Sequence, residues 1–103
     1  MSIFPRKVDK LKDRKVRLHM KIVNNENKSI KGKSVFLIFS PSKRVKKLYR
    51  LISLNGKSEK NIYFYYPITK KTPSGKYVVK AYVQLEKFKI YSDTADKDFF
   101  YVT

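Results

Sequence analysis

The residues of this sequence best placed to do chemistry are basic, and the chemistry they offer is the attraction of anions. Lys15, Arg17, His19 and Lys21 recur at every second position, alternating with Val16, Leu18, Met20 and Ile22. Residues two apart share one face of an extended strand, so this spacing predicts a basic ridge on one side and a core-facing apolar row on the other. A second concentration, Lys43-Arg44-Val45-Lys46-Lys47, falls in a polar stretch from Pro41 to Lys47 and reads as a basic loop. The candidate polyanion-binding residues are therefore Lys15, Arg17, Lys21, Lys43, Arg44, Lys46 and Lys47. A nucleic acid, an anionic wall polymer or anionic lipid headgroups would answer to such a field. Nucleic-acid bases also stack on aromatic rings, and Tyr63 and Tyr65, flanked in sequence by Lys60 and Lys70, are the rings on offer. A solvated strand face and a soluble loop would account for the same residues with no ligand at all.

Other chemistry is thinly represented. His19 is the single histidine, and a metal ligand or proton carrier needs an acidic or second imidazole partner that its sequence neighbours do not supply. A surface imidazole among lysines is the reading adopted. Asp93, Asp96 and Asp98 alternate like calcium ligands, but the segment has neither the turn glycine nor the terminal glutamate of an EF-hand loop, so it is expected to be an acidic turn. Three isolated glycines, Gly32, Gly56 and Gly75, cannot form a phosphate-cradling loop. The chain has no cysteine, which excludes disulfide frameworks, zinc knuckles and thiol catalysis. No catalytic, cofactor-binding or metal-binding residue is assigned, no cofactor is expected, and the chain is expected not to be an enzyme.

The charge is lopsided as well as large. The formal net charge is +17, and residues 1–50 hold 16 of the 25 basic side chains against 3 acidic ones. Twenty of the 25 are lysine, a hydrated point charge, and few are arginine, whose planar fork grips phosphate. That bias favours solubility and loose anion attraction. Abundant Lys, Ile, Asn, Tyr and Phe is also what an AT-rich genome encodes.

The elements that must position these groups are strands. Alternation marks Val16 to Ile22, Asn61 to Tyr66 and Lys76 to Leu85, while Val35 to Phe39 is a continuous apolar run of a central strand. Lys46 to Leu54, Phe88 to Tyr91 and Phe99 to Val102 are further strand candidates, and Ile3 to Leu11 reads as a first edge strand with Pro5 limiting its pairing. Asn55-Gly56 carries the signature of a tight hairpin turn, and Pro67 places its strand end at an edge or bulge. The expected core is Val16, Leu18, Met20, Ile22, Phe36, Ile38, Ile62, Phe64, Tyr77, Val79, Ala81, Val83, Phe100 and Val102. Seven to eight short strands in 103 residues, with no helical pattern, predict a single all-β domain over residues 1–103, an antiparallel sandwich, with a barrel as the other solution.

The stretch Gly75-Lys76-Tyr77-Val78-Val79-Lys80-Ala81-Tyr82-Val83, preceded by Tyr65-Tyr66-Pro67-Ile68 and followed by Phe100-Tyr101-Val102, resembles the late strands of bacterial and archaeal immunoglobulin-like modules of the macroglobulin or cell-adhesion type. The resemblance covers the last 40 or so residues and implies an immunoglobulin-like β-sandwich used for binding or spacing. On it rests the leading expectation: a non-enzymatic structural or protein-interaction module with protein partners, one unit of a longer surface protein whose ends sit flush with its first and last strands. The rival expectation is a small basic polyanion binder. No apolar run is long enough to span a membrane and no signal peptide is present, so the location would be extracytoplasmic for an excised surface module and cytoplasmic otherwise.

Overall fold

The computed structural model describes residues 1–85 and 96–103. They form eight strands and no helix: β1 Ser2–Phe4, β2 Lys7–Val8, β3 Lys15–Val23, β4 Ile30–Phe39, β5 Val45–Leu54, β6 Glu59–Pro67, β7 Gly75–Leu85 and β8 Asp96–Val102. Two sheets result, a three-stranded one in the order β1-β3-β6 and a five-stranded one in the order β2-β8-β7-β4-β5. All pairs are antiparallel except β2 with β8, which runs parallel. Among the described residues no helix is long and apolar enough to cross a membrane.

Alternation explains the layering. The even residues of β3, from Val16 to Ile22, are buried, while Lys15, Arg17, Lys21 and Val23 are exposed. From the five-stranded sheet Phe36, Ile38, Tyr77, Val79, Ala81, Phe100 and Val102 join them in one buried cluster, with Phe64 and Val83 half-buried against it. Every expected core position thus faces the core. Ile3, Val8, Ile52, Leu54 and Ile68 complete it. Its aromatic centre is a stack of Tyr77 on Phe100, ring centroids 4.9 Å apart, with Tyr66 tilted against both. Phe36 meets Phe64 edge to face at 5.4 Å across the two sheets. Burying rings of this size dominates core energetics, at roughly 1.5–3 kcal/mol each.

Several local expectations are corrected. The segment from Ile3 to Leu11 is not one strand: the chain leaves the three-stranded sheet at the cis Phe4–Pro5 bond and enters the five-stranded one as β2. Asn55-Gly56 does not close a hairpin, because β5 and β6 belong to different sheets. Its glycine is needed for a different reason: a Cβ at Gly56 would collide with the Asn27 carbonyl, where the 24–28 turn is bonded to this one through Lys57 N–H and Glu26 O at 2.9 Å. The acidic turn is corrected too, since Asp96 and Asp98 lie in β8. Asp93 and the strand expected from Phe88 to Tyr91 fall outside the described residues. Gly32, whose residue type on its own marks a bend in the sequence, lies within β4 opposite Ile52 and Leu85.

Candidate nucleic-acid interface

The outer face of the three-stranded sheet is assembled from two strands 36 positions or more apart in sequence. The β3–β6 register sets Lys15 opposite Pro67, Arg17 opposite Tyr65, His19 opposite Tyr63 and Lys21 opposite Asn61. Because both strands alternate in phase, cations from β3 and rings from β6 come to one surface while their apolar partners go inward. Lys15 Nζ lies 4.6 Å from the Tyr65 ring centroid, and the Arg17 guanidinium 5.7 Å from that of Tyr63. Tyr63 is 41% and Tyr65 53% exposed, which leaves ring surface open beside each cation. On the far side of β3, Phe4 faces outward opposite Arg17.

His19 is the pivot of this face. Its ring stacks on Tyr63 with centroids 4.7 Å apart and planes 26° from parallel. One ring nitrogen, Nε2, sits 2.9 Å from Asn61 Oδ1, and the other, Nδ1, 3.2 Å from the Ser2 hydroxyl. With both nitrogens engaged by neutral groups, the imidazole holds the tyrosine in place. Lys21 is shared with Glu59 at 3.3 Å, so its charge is partly spent.

The basic loop is split by the fold. Only Lys43 and Arg44 lie in the β4–β5 turn, and Lys46 and Lys47 are the second and third residues of β5, on opposite faces. Lys46 Nζ lies 5.7 Å from the Tyr66 ring centroid on the inner side, and Lys47 Nζ 5.9 Å from that of Tyr49 on the outer side. Arg44 and Lys46 line a cleft of about 750 Å³ at the end of the molecule, together with Lys71 and Tyr66. Burial raises the Tyr66 hydroxyl above the ordinary tyrosine range, and burial followed by the charge of Tyr66 does the same for Tyr77. The sequence neighbours Lys60 and Lys70 do not interleave with Tyr63 and Tyr65: Lys60 is on the other parity of β6, and Lys70 follows β6 in the next loop. Sequence reasoning named Lys15 and Arg17 but missed that they lie across from Tyr63 and Tyr65; the in-phase alternation of the two segments was the signal for that pairing.

No family model and no curated protein matches the sequence. Among solved structures the chain is similar to the alkylpurine DNA glycosylase AlkC of Pseudomonas fluorescens, bound to DNA containing an abasic-site analog. The TM-score is 0.72 at 13% identity, over 97% of this chain. The match spans 28% of the glycosylase, and at that identity it shows the fold alone. Two expectations are corrected by it. The likeness to immunoglobulin-like surface modules gives way to a fold built into a DNA glycosylase, because a turn followed by alternating aromatic and valine residues marks any strand such as β7 that leaves a turn to pair on both sides. The expectation that the chain is not an enzyme falls with it, since this fold occurs within one. A lack of reacting groups in a stretch this short is no guide, because part of an enzyme can hold substrate without supplying them.

Proposed function

We propose that residues 1–103 act as one nucleic-acid-binding module. Lys15, Arg17 and Lys21 take the sugar–phosphate backbone of a single strand, and Tyr63 and Tyr65 receive its bases. The observation that carries this reading is the pairing of a row of cations with a row of half-exposed tyrosines across the β3–β6 register. The likeness to a DNA-bound glycosylase supports it. Energetics favour the exchange on binding: an exposed cation–π contact is worth about 0.5–1 kcal/mol, whereas a base stacked on an aromatic ring is worth about 1–3 kcal/mol. A base that displaces Lys15 from Tyr65 also frees that ammonium for a phosphate.

The test is fluorescence anisotropy of a labelled single-stranded oligonucleotide across a salt series. Affinity is expected to fall steeply with salt, by a log–log slope of about 0.7 for each phosphate neutralised. The triple variant K15Q/R17Q/K21Q is expected to lower that slope by about 2, and K33Q/K80Q/K97Q, on the outer face of the five-stranded sheet, to change it by less than half as much. Equal losses from the two sets would reduce the binding to the stickiness of any cationic protein and overturn the proposal.

A protein-interaction role draws on a different observation, the exposed apolar row Val45, Tyr49 and Leu51 on β5, which is an edge strand. Self-association in sedimentation velocity, abolished by Leu51→Glu, would favour it.

A further inference from the structure

The cleft at the end of the molecule is built differently from the sheet face, and it asks for a different ligand. Arg44, Lys46, Lys47 and Lys71 line it, and among the described residues no carboxylate does. Cations gathered in a concavity with low-dielectric walls focus their field on whatever enters. Tyr66 forms one wall, and its raised hydroxyl stays protonated as a donor. The Tyr77 hydroxyl is already committed, donating to Pro73 O at 2.7 Å.

The rim opposite Tyr66 is held in shape. Ser40 N–H donates to Arg44 O at 2.9 Å, Lys43 N–H to Ser40 O at 3.0 Å, and Arg44 N–H to Ser40 Oγ at 3.2 Å. Lys43 adopts φ 63°, which reverses the chain within this turn. Ser40 and Ser42 hydroxyls are 2.9 Å apart. Either hydroxyl can donate to the other, since Ser40 Oγ keeps a second lone pair beside the one that accepts from Arg44 N–H, and the hydrogen of the accepting partner is left for a ligand. Behind the rim, Pro41 packs on Gly75, where φ is 134° and a Cβ would stand only 2.8 Å from Pro41 Cγ. A pre-shaped rim spares the ordering cost of binding.

We propose that this cleft binds a phosphomonoester, the terminal phosphate of a nucleic-acid strand. A monoester near neutral pH carries a charge of about −1.5 to −2 and three strong acceptor oxygens, whereas a backbone diester carries one charge. Four cations, the Tyr66 hydroxyl and one hydrogen of the Ser40–Ser42 pair around one cavity match the former. The cleft lies where a strand on the sheet face would end, because Tyr65 faces outward on β6 and Tyr66, the next residue, faces the cleft. The cleft is a separate site from the sheet face and rests on the proposed function only for the polymer that bears the phosphate.

The experiment compares single-stranded oligonucleotides of one sequence ending in a 5′-phosphate, a 3′-phosphate or hydroxyls at both ends, with inorganic phosphate and thymidine monophosphate as competitors. One of the phosphorylated ends is expected to bind about tenfold more tightly than the hydroxyl form, the size of one charge-assisted hydrogen bond. K46Q/K71Q is expected to erase that ratio, and K15Q/K21Q to weaken all three oligonucleotides while preserving it. Competition by thymidine monophosphate that removes only the tenfold advantage supports the cleft as the phosphate site. Equal affinity of all three oligonucleotides for the unaltered protein overturns this inference and leaves the sheet-face reading standing. Failure of every oligonucleotide to bind, with phosphate-induced amide shifts at Arg44 and Lys46 by NMR, sinks the sheet face and keeps a phosphate site; no binding and no shifts sinks both.

Discussion

The two outer faces of this molecule are both rich in lysine and in rings, yet they are organised in opposite ways. On the three-stranded sheet the cations belong to β3 and the rings to β6, so they form two adjacent rows. On the five-stranded sheet Lys33 and Lys47 cluster on Tyr49, Lys80 lies on Phe39 and Lys76 on Phe99, pairs scattered over four strands with no common line. One face presents a track and the other a patchwork. The number of charges therefore says little about a site; what matters is whether the register puts them in line. The five-stranded face also behaves partly as an interior. Val35 is fully buried there, between its cross-strand partners Tyr49 and Tyr82, and is not part of the core cluster.

Three measurements bear on this contrast. Stability should separate the layers first: Leu18→Ala, in the shared core beneath the track, is expected to cost about 2–5 kcal/mol in urea unfolding. Val35→Ala, under the patchwork, should cost about 1.5 kcal/mol for two buried methyl equivalents. A Val35 cost equal to that of Leu18 would make the patchwork a second core. Binding comes next: Tyr63→Ala and Tyr65→Ala should each weaken single-strand binding by about 1–3 kcal/mol. The equally exposed Tyr49 and Tyr101 should change it by less than about 0.5 kcal/mol, as surface positions outside the track do. Similar losses at all four positions would break the distinction between the faces.

The smallest effect concerns ion pairs. Burial opposes ionisation of Asp98, but the Arg6 fork at 2.6 and 2.7 Å and the Phe99 N–H outweigh it and hold the carboxyl below the usual range. A carboxyl depressed by folding stabilises fully above its unfolded pKa, and that contribution is lost as the pH falls through the folded value. Asp98→Asn is therefore expected to lower stability by about 1 kcal/mol at neutral pH, discounted because Arg6 is half exposed, and to flatten the acid limb below about pH 4. Glu59→Gln, in the exposed Lys21 pair of the other sheet, should change stability by less than about 0.5 kcal/mol at neutral pH.

Much of the inward half of this architecture was legible in the sequence, since alternation in 16–22, 61–66 and 77–83 names the buried parity directly. The outward half was legible only residue by residue. That Arg17 meets Tyr65 depends on a non-local register, and no turn rule sets the pairing of strands so far apart. Asn55-Gly56 misled for a related reason: a turn signature reports a local reversal, while whether the flanking strands pair is decided by which sheet each one's apolar face joins. Lys46 and Lys47 fall both in the basic loop and at the start of the strand expected from Lys46 to Leu54; pairing with Ile38 and Leu37 puts them in β5 and sends them to opposite faces.

The N-terminal crossing at Pro5 gives the molecule a handed perimeter. Because β1 borders one sheet and β2 the other, the first eight residues stitch the two sheets together along one flank. The opposite flank is bordered by β5 and β6, joined end to end by the chain but not by a ladder. There the Arg50 guanidinium reaches across to Tyr63 O at 3.4 Å, a loose clasp over otherwise unpaired backbone. Seen from its rim, the fold is a cuff sewn on one side and buttoned on the other, and any chain that adds itself as a further strand has the buttoned side to do it on.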